Sequence, residues 1–303
     1  MNQGPFDILI TGGTGLIGQA LIPVLEAGGH RISVLTRQPD RYPGKASCPR
    51  LFAALRDISE DHPVDAVINL AGARIIGRRW STRRKQVLRD SRIALTRELV
   101  GWMSQRPVPP AVLISGSAVG YYGDRQGEPL EEDQPCGGDF GALLCRDWEL
   151  EGMEAAALGT RVAVIRTGLV LSGKGGMLPS MLRSFGWGLG ARIGNGRQWM
   201  SWIHIDDEVA AIAHLLANQD SAGAYNLTAP EPVTNTGFSD CLARMLRRPR
   251  LLAVPAAVLH LGLGEAAELL LGGQRSIPAR LQQEGFGFAY PSLEGAFRAI
   301  TRP

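Results

Sequence analysis

The sequence predicts an α/β fold: a doubly wound parallel sheet, followed by a smaller C-terminal domain on the substrate side. Short continuous apolar segments alternate with helical segments over the first half of the chain, which is typical of parallel strands covered on both faces. A glycine-rich turn joins the first strand to the first helix, and the alternation ends beyond about Gly168. The 303 residues are 45% hydrophobic and can bury a core, and the 38 glycines follow no collagen-like period.

The predicted strands are short and apolar, and they cover residues 7–10, 31–35, 64–70, 111–115 and 161–166. Helices are predicted from the glycine-rich turn to about residue 27, over 81–104 and over 140–158. Short strands at 202–205 and 224–227 and a helix at 206–217 follow. We place the sheet domain at 1–170, with later segments returning to it. The substrate-side region is 171–303, with a C-terminal module from about residue 254.

The glycine-rich turn has the spacing and context of a dinucleotide-binding loop, and a tight turn without a ligand is the alternative. Gly12 permits the tight turn, Gly15 lets the backbone approach a diphosphate, and Gly18 lets helix and strand pack closely. The free N–H groups at the start of the helix would face the diphosphate. The residues assigned to this cradle are Thr11, Gly12, Gly13, Thr14, Gly15, Leu16, Ile17 and Gly18.

Two residues after the second strand favour NADP over NAD. An acidic residue would hold the ribose hydroxyls of NAD at this point, but the sequence has Thr36 and Arg37 there. A guanidinium can place two hydrogen bonds on a 2′-phosphate, and the threonine hydroxyl can add a third contact. A solvated surface arginine is the alternative.

Three motifs now identify a family: the residue 11–18 turn (TGGTGLIG), residues 69–72 (NLAG) and residues 114–117 (ISGS). Together they resemble the extended short-chain dehydrogenase/reductases of the NAD-dependent epimerase/dehydratase type. Longer segments resemble a subfamily of nucleoside-diphosphate-sugar epimerase-like proteins with an unassigned C-terminal module, and these segments are 117–123, 144–149, 194–206, 225–230 and the tail from about 254. The resemblance implies a Rossmann-like sheet that holds NAD(P).

The resemblance also implies roles for residues outside the glycine turn. Ser117 matches the catalytic Ser/Thr that hydrogen-bonds the reacting oxygen of the substrate. The resemblance implies that residues 69–72 pass beside the adenine-ribose and that residues 166–169 run past the nicotinamide. The implied cofactor contacts lie at or just after the ends of the third, fourth and fifth predicted strands, and they are Leu70, Ala71, Gly72, Ser115, Arg166, Gly168 and Leu169.

The sequence departs from the superfamily at its acid/base motif, Tyr-x-x-x-Lys. One register places Gly141 and Cys145 at the tyrosine and lysine positions, and the neighbouring register places Phe140 and Leu144 there. Neither pair can transfer a proton as tyrosine beside a cation can. Another acid can serve, and we assign Tyr121 or Tyr122 to this role, with Cys145, Lys174 and His204 as further candidates. Otherwise the reaction does not need the dyad, or the protein binds NADP(H) without turnover as a sensor or partner-binding protein.

Substrate contacts are expected from the C-terminal half. Lys174 lies in a glycine-rich loop after a strand end, where ligand-binding loops occur in this architecture. Arg192, Arg197 and Trp199 combine guanidinium groups with an aromatic ring, which suits an anionic or sugar-like substrate. His204 is interpreted as a structural histidine at a helix start, with Asp206 or Asp207 as the N-cap.

Composition excludes several classes of partner. Lys and Arg number 32 against 29 Asp and Glu, which is too small an excess to indicate nucleic-acid binding, so nucleic acid is not expected. The basic run at 78–85 is interpreted as a solvated helix face, and contact with an anionic cofactor or substrate is the alternative. The cysteines, Cys48, Cys136, Cys145 and Cys241, are too far apart for a zinc motif, so no metal is expected. No signal peptide or membrane span is predicted. We expect a cytoplasmic enzyme, monomeric or homodimeric, that acts on a small molecule as an NADP-dependent oxidoreductase or epimerase.

Overall fold

The computed structural model describes residues 4–42 and 49–301. Cys48, one of the cysteines considered above, lies outside the described residues. The strands are β1 (Asp7–Thr11), β2 (Arg31–Leu35), β3 (Arg50–Phe52), β4 (Ala66–Asn69), β5 (Val112–Ala118), β6 (Pro129–Leu130), β7 (Arg161–Thr167), β8 (Leu169–Leu171), β9 (Ala191–Ile193), β10 (Trp199–Met200), β11 (Trp202–His204), β12 (Gly223–Leu227), β13 (Val233–Thr234), β14 (Leu252–Val254) and β15 (Arg275–Ser276).

The helices are α1 (Leu16–Ala27), α2 (Thr82–Arg89), α3 (Leu95–Ser104), α4 (Phe140–Met153), α5 (Leu178–Gly186), α6 (Ile205–Ala217), α7 (Asn235–Met245), α8 (Ala256–Leu263), α9 (Glu268–Leu271), α10 (Ala279–Gln283) and α11 (Leu293–Thr301). The segment predicted as one helix over 81–104 is interrupted, because a π-helical turn at Asp90–Ala94 separates α2 from α3. No helix within residues 4–42 and 49–301 is long and apolar enough to cross a membrane.

A seven-stranded parallel sheet forms the centre of the fold, in the order β12-β7-β5-β4-β1-β2-β3. The chain moves outward from β1 through β2 to β3, then crosses back to β4 on the other side of β1. The predicted doubly wound α/β fold is therefore confirmed. Ligands bind such sheets at this change of direction, beyond the carboxyl ends of the strands.

The sheet differs from the sequence prediction at both edges. The short edge strand β3 was not predicted, because three residues are too few for a periodic signal. At the other edge, β12 pairs with β7, so a segment from the C-terminal half returns to the sheet. The division at about residue 170 stays a prediction.

The core lies on both faces of the sheet. All five residues of β1 are buried, as expected for a strand covered by helices on each side. One face packs mainly on α1 and α6, and the other packs on α3. A third apolar cluster, which includes Trp202, Phe238 and Phe297, packs the C-terminal elements together.

The C-terminal module also contacts the first half of the chain. A fourth cluster brings Ala266, Leu263 and Leu269 against Trp80 and the start of α4. At its margin Lys85 on α2 forms an ion pair with Glu265, with 2.6 Å between Nζ and Oε2. The first part of the module thus packs against α2 and α4, whereas α11 packs in the third cluster.

Candidate functional site

The glycine-rich turn connects β1 to α1 with little space for side chains. Gly12 has a φ of +72°, and a Cβ there would lie 2.7 Å from the Leu70 carbonyl carbon. A Cβ on Gly18 would lie 2.6 Å from the Gly12 oxygen, whereas one on Gly15 would lie 3.1 Å from it. These distances agree with the turn and packing roles predicted for Gly12 and Gly18.

The start of α1 is open to a ligand. Gly15 is its N-cap, no side chain caps it, and its first turn holds no acidic residue. Free N–H groups and the positive end of the helix dipole therefore meet solvent at the carboxyl edge of the sheet. Thr14, Leu16 and Ile17 lie on the same turn as predicted, and the Thr14 carbonyl accepts a hydrogen bond from Gln19.

Buried hydrogen bonds hold the ends of β1 and β4 together. The Thr11 hydroxyl donates to Asn69 Oδ1 at 2.6 Å and accepts from the Ala71 N–H. Asn69 Nδ2 in turn donates to Thr96 Oγ1 at 2.8 Å. Thr11 therefore has a bracing side chain that links β1 to the segment after β4, which contains Leu70, Ala71 and Gly72.

Thr36 and Arg37 directly follow β2, at the same edge as the glycine turn. The Thr36 N–H donates to the Phe52 carbonyl, which fixes the backbone there. Arg37 is exposed, and its guanidinium has no hydrogen-bond or ion-pair partner in the part of the chain that the structure describes. Its position agrees with the predicted phosphate contact.

Ser117 belongs to a buried ionic network. Its Oγ donates to Glu149 Oε1 at 2.6 Å, and Glu149 also binds Arg166 through two hydrogen bonds of 2.9 and 2.8 Å. Arg166 and Glu149 are only 4% and 8% exposed. Burial by itself would lower the pKa of Arg166, but the hydrogen bonds and charge of Glu149 raise it. The Ser117 proton is thus held by Glu149, not free for a substrate oxygen.

The Arg166 guanidinium is directed into the protein. Besides Glu149, it donates to the Tyr122 hydroxyl at 3.0 Å and to the Glu132 carbonyl at 2.9 Å. Its predicted cofactor contact can therefore come only from the backbone, because the side chain serves to connect β7 with α4. Ser115 is similar: it is fully buried, and its Oγ faces α4 near Gly152.

The two tyrosines predicted to act as acids lie in different environments. Tyr122 is fully buried and donates to Asn226 Oδ1 at 2.7 Å, and burial raises its pKa to about 12. Tyr121 is partly exposed and lies over the Arg166 guanidinium, with 3.5 Å between Cζ and the ring centroid. Burial raises the pKa of Tyr121 as well. Of the two, Tyr121 alone is placed to meet a ligand.

The positions of the missing dyad are taken by packing. A Cβ on Gly141 would lie 3.5 Å from Leu269 of the C-terminal module and 3.9 Å from Trp80. Cys145, one turn later on α4, is buried, and burial raises its pKa to about 12. Neither position carries an acid or a cation.

Lys174 lies near the glycine turn, as predicted for a ligand-contacting loop. It is exposed, and the neighbouring Gly175 and Gly176 approach Leu16 so closely that a Cβ on either would lie 3.0 and 3.3 Å from the leucine side chain. The loop therefore contacts the Leu16 side chain beside the start of α1.

The remaining predicted substrate contacts lie on β9, β10 and the turn between them. Arg192 donates to the Asn195 carbonyl at 2.8 Å, and Arg197 is exposed. The Trp199 ring stacks with Arg275, at 4.7 Å from Cζ to the centroid. Gly168 and Leu169 lie nearby: a Cβ on Gly168 would lie 2.6 Å from the Ser201 oxygen, and Leu169 pairs with Trp202.

His204 is structural, as interpreted, but the cap differs from the prediction. His204 itself is the N-cap of α6, and its Nδ1 accepts from the Asp206 N–H at 3.2 Å. Asp207 instead accepts hydrogen bonds from the backbone of Ala289 and Tyr290. Burial lowers the pKa of His204.

Sequence reasoning did not assign a role to three charged residues near the carboxyl edge: Glu149, Glu208 and Arg92. Each lies inside a helix or its π-helical turn, where no local motif distinguishes a buried charge from a solvated one. Glu208 Oε1 accepts from the Thr167 hydroxyl at the end of β7. No group of three or more potential metal ligands occurs among residues 4–42 and 49–301.

Relatives of known sequence match this chain over nearly its whole length. An epimerase family protein of Mycobacterium leprae is 41% identical over 300 residues, covering 98% of this chain and 96% of that protein. An Arabidopsis thaliana relative, the chloroplastic homolog of epimerase family protein SDR39U1, is 38% identical over 99% of this chain and 88% of its own length.

Two solved structures of epimerase-type proteins resemble this fold. Human epimerase family protein SDR39U1 with NADPH has a TM-score of 0.87 at 32% identity, covering 97% of this chain and 98% of that one. A nucleoside-diphosphate sugar epimerase from Corynebacterium glutamicum has a TM-score of 0.79 at 33% identity, covering 98% of this chain and 58% of that one.

Two family profiles match the chain. Residues 254–300 match a domain of unknown function (DUF1731), and residues 8–228 match the NAD dependent epimerase/dehydratase family. With its seven-stranded parallel sheet and open glycine turn, the chain belongs to the NAD-dependent epimerase/dehydratase family and has its NAD(P)-binding, Rossmann-like fold.

Proposed function

We propose that the protein binds NADP(H) and uses it as an epimerase or oxidoreductase on a small, sugar-nucleotide-like substrate. The observation that carries the cofactor choice is Arg37, an exposed guanidinium without a described partner at the end of β2. The human relative, 32% identical, was solved with NADPH, which supports the same choice here.

The residues present fit such a dinucleotide. Gly12 and Gly18 leave no room for side chains in the turn, and the open start of α1 offers N–H groups to a diphosphate. Arg37 would hold the 2′-phosphate, with Thr36 beside it. When bound, the nicotinamide supplies or accepts a hydride.

The protein would contribute binding, orientation and a proton donor. The Ser117–Glu149–Arg166 network makes the base of the site rigid. Tyr121 is partly exposed above Arg166, so we assign the proton-donor role to its phenol. Lys174 and the arginines of the β9–β10 segment are proposed to bind the anionic or polar part of the substrate.

A binding comparison tests the cofactor choice. Tryptophan fluorescence titrations would give the affinities of wild type and Arg37→Ala for NADPH and NADH. Loss of charge-assisted hydrogen bonds predicts a 10- to 100-fold weaker affinity for NADPH, on the order of 1.4 kcal/mol per tenfold, with NADH unchanged. Arg248→Ala is the matched control, because Arg248 lies beyond the end of α7, is likewise exposed, and its side chain has no partner among the described residues. Equal wild-type affinities for NADPH and NADH would refute the proposal.

A second function, NADP(H) sensing without turnover, is favoured by one observation: Gly141 and Cys145 occupy the positions of the dyad, and Leu269 packs beside Gly141. Cofactor oxidation would be screened over carbonyl compounds and sugar nucleotides with wild type, Tyr121→Phe and Ser117→Ala. Turnover that Tyr121→Phe abolishes supports the enzyme. Tight NADPH binding with no turnover across the panel supports the sensor.

A further inference from the structure

Arg92 lies at the carboxyl edge of the sheet, on the opposite side of the glycine turn from Arg37. It approaches the segment after β4 so closely that a Cβ on Gly72 would lie 3.0 Å from its Cζ. Its guanidinium also lies 5.3 Å from the ring centroid of Trp148. Gly72 has no positive φ that would require glycine, so the arginine itself is the neighbour that excludes a side chain there.

The Arg92 guanidinium has unused hydrogen-bonding capacity. Nη2 donates to the Ala73 carbonyl at 3.0 Å, and Nη1 makes a long contact of 3.4 Å with Ser91 Oγ. No carboxylate forms an ion pair with Arg92 in residues 4–42 and 49–301. Burial lowers the pKa of this arginine. A half-buried cation without a counter-charge is costly, so its remaining N–H groups are available to a ligand oxygen.

The backbone around Arg92 is also unusual. It lies in the π-helical turn Asp90–Ala94, which interrupts the helical segment from α2 to α3. Such single-turn interruptions of a helix are frequently found at functional sites, and the extra residue changes the direction of the side chains around it. Here the redirected side chain is an arginine that lies against Gly72.

The order of strands determines which part of a ligand would reach Arg92. Arg37 follows β2 and the glycine turn follows β1, whereas Gly72 follows β4, on the far side of β1. Trp148, which lies beside Arg92, packs on Gly116 of β5, where a Cβ would lie 2.8 Å from Cη2. A dinucleotide with its 2′-phosphate at Arg37 and its diphosphate at the glycine turn would extend its second half past Gly72, whereas the resemblance implies that the adenine-ribose lies beside this segment.

We propose that Arg92 binds the nicotinamide-riboside half of the cofactor by donating hydrogen bonds to its ribose oxygens. Arg92 would supply a cation in the region of the neutral Cys145 on α4, which one register places at the lysine position of the Tyr-x-x-x-Lys motif. This proposal rests on the proposed NADP(H) binding. It assigns a function to a residue that lies outside every motif of the sequence.

The test compares two ligands that share only the adenosine half. NADPH and adenosine 2′,5′-bisphosphate would be titrated by calorimetry into wild type, Arg92→Met and Arg92→Lys. Arg92→Met is expected to bind NADPH about tenfold more weakly and the bisphosphate unchanged, with Arg92→Lys recovering part of the loss. Arg89→Met is the matched control, because Arg89 is on α2 and pairs with Asp147.

The outcomes separate this proposal from the cofactor assignment. Unchanged NADPH affinity in Arg92→Met, or equal weakening of both ligands, would overturn the role of Arg92 and leave NADP(H) binding intact. Absence of NADPH binding by wild type would overturn both. If Arg92→Met does not fold, Arg92→Lys decides. A loss of affinity for NADPH but not for the bisphosphate supports the proposal, and wild-type affinity for both ligands refutes it.

Discussion

The buried carboxyl of Glu208 makes the stability of the protein depend on pH in a predictable way. Glu208 lies on α6 and is fully buried. Oε1 accepts a 2.8 Å hydrogen bond from the Thr167 hydroxyl, and Oε2 has no hydrogen-bond partner among the described residues. Burial raises the pKa of Glu208 from 4.5 to about 8. The folded protein therefore holds this proton under conditions in which the unfolded chain has released it.

The sign and size of the effect follow from linkage. Below pH 4.5 Glu208 is protonated in both the folded and the unfolded state, so it gives the free energy of unfolding no pH dependence. As pH rises toward about 8, ionisation of Glu208 stabilises only the unfolded state, so the free energy of unfolding falls. Each pKa unit corresponds to about 1.4 kcal/mol, so the full loss approaches ~5 kcal/mol. Between about pH 5 and pH 7.5 the loss amounts to ~3 kcal/mol.

Glu208→Gln removes the titration and preserves the shape of the neutral side chain. The free energy of unfolding of wild type and Glu208→Gln would be measured by urea denaturation at about pH 5 and pH 7.5. The variant is expected to gain ~3 kcal/mol relative to wild type between the two pH values. Asp220→Asn, at an exposed carboxyl in the loop after α6, is the control and should show no such gain. Parallel pH dependence in Glu208→Gln and wild type would refute the reasoning.

Two further substitutions test the packing of the site. Glu149→Gln leaves the buried Arg166 without its counter-charge, so the free energy of unfolding should fall by about 3–5 kcal/mol. Urea denaturation measures this change, and a loss below about 1 kcal/mol would contradict a buried ion pair. Gly18→Ala places a Cβ 2.6 Å from the Gly12 oxygen and should destabilise the protein by about 1–3 kcal/mol. Gly15→Ala places a Cβ 3.1 Å from the same oxygen and should destabilise it less. Thermal denaturation that ranks the two variants in the opposite order would show that the turn relaxes.

Several predictions from the sequence succeeded because the signals are local. A parallel strand buried on both faces must be continuously apolar, and the turn from β1 into α1 needs glycine at fixed positions. The α/β fold could therefore be predicted from short apolar segments that alternate with helical ones, whereas diphosphate binding by the turn at residues 11–18 stays a prediction. The position of Arg37 follows in the same way from the end of β2, and its contact with a phosphate stays a prediction.

The surroundings of the other glycines and of the tyrosines could not be predicted, because they depend on residues distant in sequence. The atoms that exclude a Cβ at Gly72 and Gly168 belong to Arg92 and to the Ser201 backbone. Tyr121 and Tyr122 are adjacent in sequence, but Asn226, more than a hundred positions away, accepts the hydrogen bond that holds Tyr122 inside.

The sequence by itself determined the fold class, the glycine-rich turn and the family, since each depends on short segments whose geometry the backbone imposes. Only the tertiary structure decided what the charged residues do. Ser117, Glu149 and Arg166 meet because α4 crosses the ends of β5 and β7, and Arg92 reaches Gly72 from a π-helical turn. The role of a charge depends on its burial and its partners, and the folded chain supplies both from positions that no spacing rule connects.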